Sequence, residues 1–496
     1  MRRITRNLIA VTIAAGLAAK AGAFSLMGPF ASWQTTAIGY NLPASLGGLG
    51  DVGGPMLINE EYRLNTPVLT YGFDGNFLFF FGSNGVAAVN AAMSIMNDIP
   101  AASAMSPSLA EFPLQAIGPA NATAASLQIR DLKSATLSTV LGQLGLAAPE
   151  RWVFTLRDRL VVGGVTNYVV IQRHYDPVTL LPTNVVNGVL YTYNVRDPVP
   201  NNTYADAVET RASGNPDNIT AASIDDRGGL GFGQFMTGLT RDDIGGLRHL
   251  LRFNNLNVET LNASVTLRPS TLTTPYAPVT GTNGTNSVLP PFNPGFPFAP
   301  IGSSGTNTNN PVLTNELVAT ARRPGIGKVS FNPMPVDALL NLAITPVTNM
   351  YTDFFYQTNS LTLTNQQVQR VTTIPDILFS AGDLYNGAPF SGATLQRPTA
   401  TRWVNNSALQ TFVGGTNSAA GPGLIPSAGS NATAIVITFN SLGPSRLNFT
   451  SGGFVQFLDE GSAINNGVWG YFDTTIYSVF PDGITIQDLE RQLFGQ

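Results

Sequence analysis

Few side chains in this 496-residue chain are able to do chemistry, and their types narrow the reactions open to it. There are two histidines, His174 and His249, and no cysteine. A three-histidine zinc site is excluded by that count, as is thiolate catalysis. A serine–histidine–aspartate triad would have to use one of the two histidines. No Gly-x-Ser-x-Gly turn stands before a helical stretch, and "GSSGTN" (302–307) has loop chemistry. His174 follows Arg173 in a strand-like run, and His249 lies between Arg248 and Leu250 in a helical one, so both read as structural, His249 as half-buried or at the surface.

Carboxylates are the remaining candidates. Cleaving a glycosidic bond needs two of them ~5–10 Å apart. Among the 30 acids, Glu60–Glu61 and Asp225–Asp226 are adjacent pairs. Neighbours in a strand face opposite ways, so these pairs read as solvated loop acids rather than a shared site. Calcium suits this chain better than zinc, with Asp217, Asn218, Asp225, Asp226 and Asp353 as oxygen donors, although no EF-hand spacing is present. The sequence thus assigns no catalytic, cofactor-binding or metal residue, and leaves a structural calcium ion open.

The composition points to export. Arg2, Arg3 and Arg6 precede the apolar run Leu8–Ala19, and Ala21-Gly22-Ala23 fits a small-x-small cleavage rule. Residues 1–23 are therefore expected to be a signal peptide, with the mature chain beginning at Phe24 and Lys20 leaving the exact cut open. Its removal takes away four positive charges and no acid, so the net charge of −4 becomes about −8. Only Lys133 and Lys328 then remain as lysines. Such a chain has no electrostatic footprint for nucleic acid or an anionic membrane surface. No later apolar run of about 18 residues reads as a transmembrane helix. Charged residues make up 11% of the chain, against ~25% in an average protein, while 43% is hydrophobic. Asn, Thr, Ser and Gly do the solvating, and they are cheaper to desolvate than Lys or Glu when copies pack together.

The elements that would position these groups follow from periodicity. Residues 24–65 read as an extended Gly-rich segment. Val68–Phe73 reads as a strand, followed by a turn at Asp74-Gly75-Asn76 and the aromatic cluster Phe77–Phe81, read as core. Val86, Val89, Met93 and Met96 share a helical face that Pro100 ends. A second helix is expected from an Asp131 cap to Leu144, stopped at Gly145, and a third from a Thr240–Asp243 capping box. Strands are expected in 151–164, 167–177 and 185–195, the last turning at Asn187-Gly188. Residues 256–314 are dense in Pro, Gly, Asn and Thr and read as a connection. Residues 315–496 read as β-rich, with a last helix at Ile486, Leu489 and Leu493.

Three of these pieces, "LTYGFD…GVAAVNAAM", "DLKSATLSTVLGQLGL" and "GLTRDDIGGLRHLL", occur in the order of the first strand and helix, the zinc helix and the closing helix of matrixin-type metzincin proteases. Residues 66–253 resemble that family. The resemblance implies an α/β domain with about three helices, but not its activity. The family's two helical histidines and glutamate fall on Thr139, Val140 and Gln143 in one register, and on Ser138, Thr139 and Gly142 in the other. The third ligand falls on Pro149 or Ala148. No histidine or glutamate stands at any of them, so the resemblance implies a scaffold without the zinc chemistry.

The expected fold class is α+β: a metzincin-like domain over 66–255, the 256–314 connection, and a β-rich, sandwich-like domain over 315–496. The expected function is that of a secreted, non-enzymatic structural protein of the cell surface or matrix. It would form a homo-oligomer or polymer through β-strand contacts, with the 24–50 segment as a candidate donor strand. A secreted hydrolase with an unrecognised carboxylate site, acting on polysaccharide or protein, is the alternative.

Overall fold

A computed structural model describes residues 22–27, 55–197, 205–260, 320–381 and 468–495, apart from short internal stretches, with isolated strands between 279 and 455. It is a mixed α+β structure. Most of the signal peptide, most of residues 28–54, the acids Asp225 and Asp226, and most of the 256–314 connection lie outside the described residues.

The helices begin and end where the local chemistry says they should. Helix α1 (Gly75–Asp98) is capped by Asp74, which accepts the Phe77 N–H at 2.7 Å and the Ser380 hydroxyl at 2.6 Å. The expected turn at residues 74–76 is thus an N-cap, and the aromatic cluster belongs to the helix itself. One short helix, α2 (Ala122–Ser126), and strand β3 (Ile129–Asp131) precede α3 (Leu132–Gln143), which is capped by Asp131. Helix α4 (Arg241–Leu251) carries the full Thr240–Asp243 capping box, and α5 (Ile486–Phe494) has its own at Thr485 and Asp488. By length and hydropathy α1 could cross a membrane, but its buried side chains Phe77, Phe81, Val89, Met93 and Met96 belong to the protein core.

Strand β1 (Phe24–Leu26) is the middle of a three-stranded antiparallel sheet, with β4 (Leu146–Ala147) on one side and β7 (His174–Tyr175) on the other. The start of the expected extended segment is therefore buried and paired on both edges within its own chain. Residues 24–26 are not a free donor strand, and deleting 24–50 would remove core rather than only an assembly element.

The main sheet overrides the expected division of the chain. Strand β2 (Val68–Phe73) runs parallel to Ser330–Pro333 on one side and Ile377–Ser380 on the other, and Ile435–Thr438 continues the sheet. Boundaries at 255 and 315 cut through this sheet. The reason is burial: Leu69 and Tyr71 face the core, so both edges of β2 need a strand, and parallel neighbours can only come from distant sequence. Across it pack Phe77 on Phe379 and Phe439, and Phe81 on Phe439 and Phe480. The buried Arg63 guanidinium adds a polar tie, donating to the carbonyls of Leu250, Asn255 and Arg323 at 3.0, 3.0 and 2.8 Å. A second, antiparallel sheet of six strands is built on the long pair Val347–Tyr356 and Leu363–Thr372.

Candidate functional site

Helix α3 is where the resemblance would place zinc ligands. Its Thr136 and Thr139 hydroxyls donate back to the Leu132 and Ala135 carbonyls at 2.8 and 2.9 Å. The Ser138 hydroxyl donates to the Ala222 carbonyl at 3.5 Å, in the short 3-10 turn Ala221–Ser223 that packs on the helix. Residues 138–143 and Pro149 are buried, and Ala148 is half-buried. In both registers the face that would hold a metal is covered by protein.

Next to this face lies a cluster of buried acids. Glu150 accepts the Thr220 N–H and hydroxyl, each at 2.7 Å, and the Ser223 hydroxyl. Asp243 accepts the Ala221 and Ala222 N–H groups at 2.9 Å each, and the Thr240 hydroxyl at 2.6 Å. Asp242 accepts the Ala23 N–H at 2.6 Å and the Asn187 N–H at 2.7 Å. Burial pushes all three carboxyls above the usual carboxylate range, Asp242 furthest, against the pull of these donors. The donors are mostly backbone amides of loops that converge on the start of α4. The cluster therefore works as a knot that ties the 3-10 turn, β1 and the Asn187 turn together.

The histidines sit on either side of β1. His174 pairs with Ser25 across the sheet and donates from Nδ1 to the Thr183 carbonyl at 3.0 Å. Burial lowers its pKa to about 4, so the ring is neutral. His249 is buried, not half-exposed as expected. Phe24 stacks on it with ring centroids 5.3 Å apart, and its Nε2 lies 3.1 Å from Glu61 Oε1. Glu61 is likewise fully buried and not a solvated loop acid. Burial opposes its ionisation most strongly, but the His249 bond and charge, a backbone hydrogen bond and the Asn255 amide together outweigh it and hold the carboxyl below the usual range.

Of the calcium candidates, Asp225 and Asp226 lie outside the described residues, and Asp353 and Asn218 are held by separate partners. Asp353 is held by Arg323 at 3.1 Å, and the Asn218 amide donates to the Asn187 carbonyl at 2.8 Å. Among the described residues, no group of three or more His, Asp or Glu side chains is arranged to hold a metal ion.

Among the described residues, one hairpin exposes a run of apolar side chains. Strands β5 (Thr155–Val162) and β6 (Val165–Ile171) form a two-stranded sheet, so among the described residues each keeps an unpaired outer edge. Its base is anchored by the buried Thr155 and Leu156. Its tip turns at Gly163 and Gly164, with φ of 58° and 81°, and nothing lies within 4 Å of either missing side chain. Val161, Val162 and Val165 are 64%, 67% and 63% exposed, and Leu160 and Val169 are exposed beside them. Both faces of the tip are apolar, which breaks the in–out alternation of a half-buried strand.

No protein-family model matches the chain, and neither a curated protein nor a solved structure matches it. The likeness to metzincins rests on the three quoted motifs alone.

Sequence reading found Asp243, through its capping box, but gave no role to Glu150 or Asp242 and read Glu61 as a loop acid. A buried acid whose donors are distant backbone amides leaves no local pattern to find.

Proposed function

We propose that this is a secreted, non-enzymatic structural protein of the cell surface or matrix, and that it assembles with its own copies by β-strand addition. The observation that carries this reading is the β5–β6 hairpin. Among the described residues neither strand has a ladder partner on its outer side, and the tip is apolar, on a chain of 11% charged residues. Strand β5 carries Arg157, Asp158 and Arg159 near its base, but β6 has no charged residue, and an exposed, uncharged edge is what proteins that stay apart avoid. The second copy is the fitting partner because its own hairpin offers the same self-complementary edge, closing an isologous contact or propagating a heterologous one. Among the described residues, the buried acids Glu61, Glu150, Asp242 and Asp243 are engaged with core partners, which favours the structural reading.

Light scattering and negative-stain microscopy of the exported protein test this. The wild type is expected to form filaments, tubes or layers, and Val161→Asp with Val165→Asp is expected to yield monomers that melt as the wild type does. A wild type that stays monomeric at all concentrations, or a double variant that assembles unchanged, overturns the proposal.

A further inference from the structure

Asp242 is fully buried, and among the described residues no Lys, Arg or His forms an ion pair with it. Its Oδ2 accepts two backbone N–H groups, but its Oδ1 is buried with no hydrogen-bond partner. The neighbouring acids Asp243 and Glu150 add repulsion. A buried carboxylate in that state wants a cation. What the fold brings to it is the first stretch of described chain. Ala23 is fully buried with its nitrogen 2.6 Å from Oδ2, and Gly22 is buried so tightly that a side chain on it would collide with Oδ1. Phe24, next in line, is locked by pairing with Tyr175 and by stacking on His249.

We infer that leader removal leaves the chain beginning at Gly22 or Ala23, and that the new α-ammonium group forms a buried ion pair with Asp242. This rests on the expectation that a leader is removed. A peptidase that cuts after small residues would add water across the 21–22 or 22–23 peptide bond. The new carboxyl group departs with the leader, and the new α-amine takes up a proton. At Ala23 the ammonium offers three N–H donors where the intact chain offers one; at Gly22, which lies against Oδ1, it adds three donors beside the Ala23 N–H. A start at Phe24 would take away the Ala23 N–H and leave Asp242 with Asn187 alone. Maturation thereby becomes a step that completes the core, because the pair joins β1 to the start of α4. The resulting order is export first and final packing second.

The test uses the full gene expressed with export, followed by N-terminal sequencing of the product. A first residue of Gly22 or Ala23 is expected, and a start at Phe24 or later, or an uncut chain, overturns the inference. The native and the denatured protein are then treated with acetic anhydride near neutral pH, and the terminal peptide is weighed by mass spectrometry. Only two lysines lie beyond the leader to compete for the reagent. The α-amine is expected to react at least about tenfold more slowly in the native protein, since a paired, buried ammonium must wait for local opening. Equal rates overturn the inference. Asp242→Asn is expected to abolish the protection, and should that variant fail to fold, the wild-type comparison still decides.

Discussion

Burying His174 without a charge partner makes the protein sensitive to acid. Its folded pKa of about 4 lies below the ordinary value of 6.5, so the unfolded chain binds the proton first. Its contribution is complete above pH 6.5 and is lost as pH falls towards 4, about 3 kcal/mol in all by linkage. Asp131, raised to about 6 by burial, works the other way: its penalty is relieved as pH falls below 6. Asp243 and Glu150 share that direction. The readable quantity is therefore a difference between variants. His174→Asn keeps a donor where Nδ1 meets the Thr183 carbonyl. Urea unfolding at pH 7 and pH 4.5 should show the wild type losing more stability than this variant across the interval. Equal losses would mean that His174 is not buried neutral.

At the scale of elements, the protein relies on strong local signals and a few backbone exceptions. The Asn187-Gly188 turn has φ of 44° and 78°, both left-handed, as a two-residue hairpin of type I′ requires. In α1, Gly82 breaks the helix with φ of 56°, so that Phe77 and Phe81 meet Phe439 on one side of the break while Val89, Met93 and Met96 continue the buried face beyond it. A side chain on Gly82 would also meet the carboxylate of Asp482. Gly82→Ala is expected to destabilise by about 1–2 kcal/mol, chiefly through the left-handed backbone. Thermal melting checks this, and an unchanged melting temperature would mean that the break can straighten without loss. Gly163 and Gly164 share the left-handed backbone but meet nothing, so there only the turn itself resists replacement.

For the whole molecule, the consequence of the shared sheet is that residues 22–255 are not expected to fold as a separate unit. A fragment of residues 22–255 keeps β2, α1, α3 and α4 but loses both strands that flank β2. Leu69, Phe77 and Phe81 would then be left in water, at roughly 1.5–3 kcal/mol for each fully buried side chain. The fragment is expected to show no cooperative melt and to bind a hydrophobic dye. A sharp transition would establish an independent domain.

Sequence alone determined the parts whose causes are local. Asp131, the Thr240–Asp243 box, the Asn187-Gly188 turn and the helix at Ile486 each declare themselves within a few residues, because caps and turns are satisfied by near neighbours. The chemistry that the chain lacks was also legible, since two histidines and no cysteine are a matter of counting. Only the tertiary structure decided that Glu61 faces His249 across 188 positions, that Asp242 sits against Ala23 across 219, and that β2 is flanked by strands from beyond residue 320. Those pairings bury charge and strand edges against partners that no period or spacing links, and burial is a property of the packed chain.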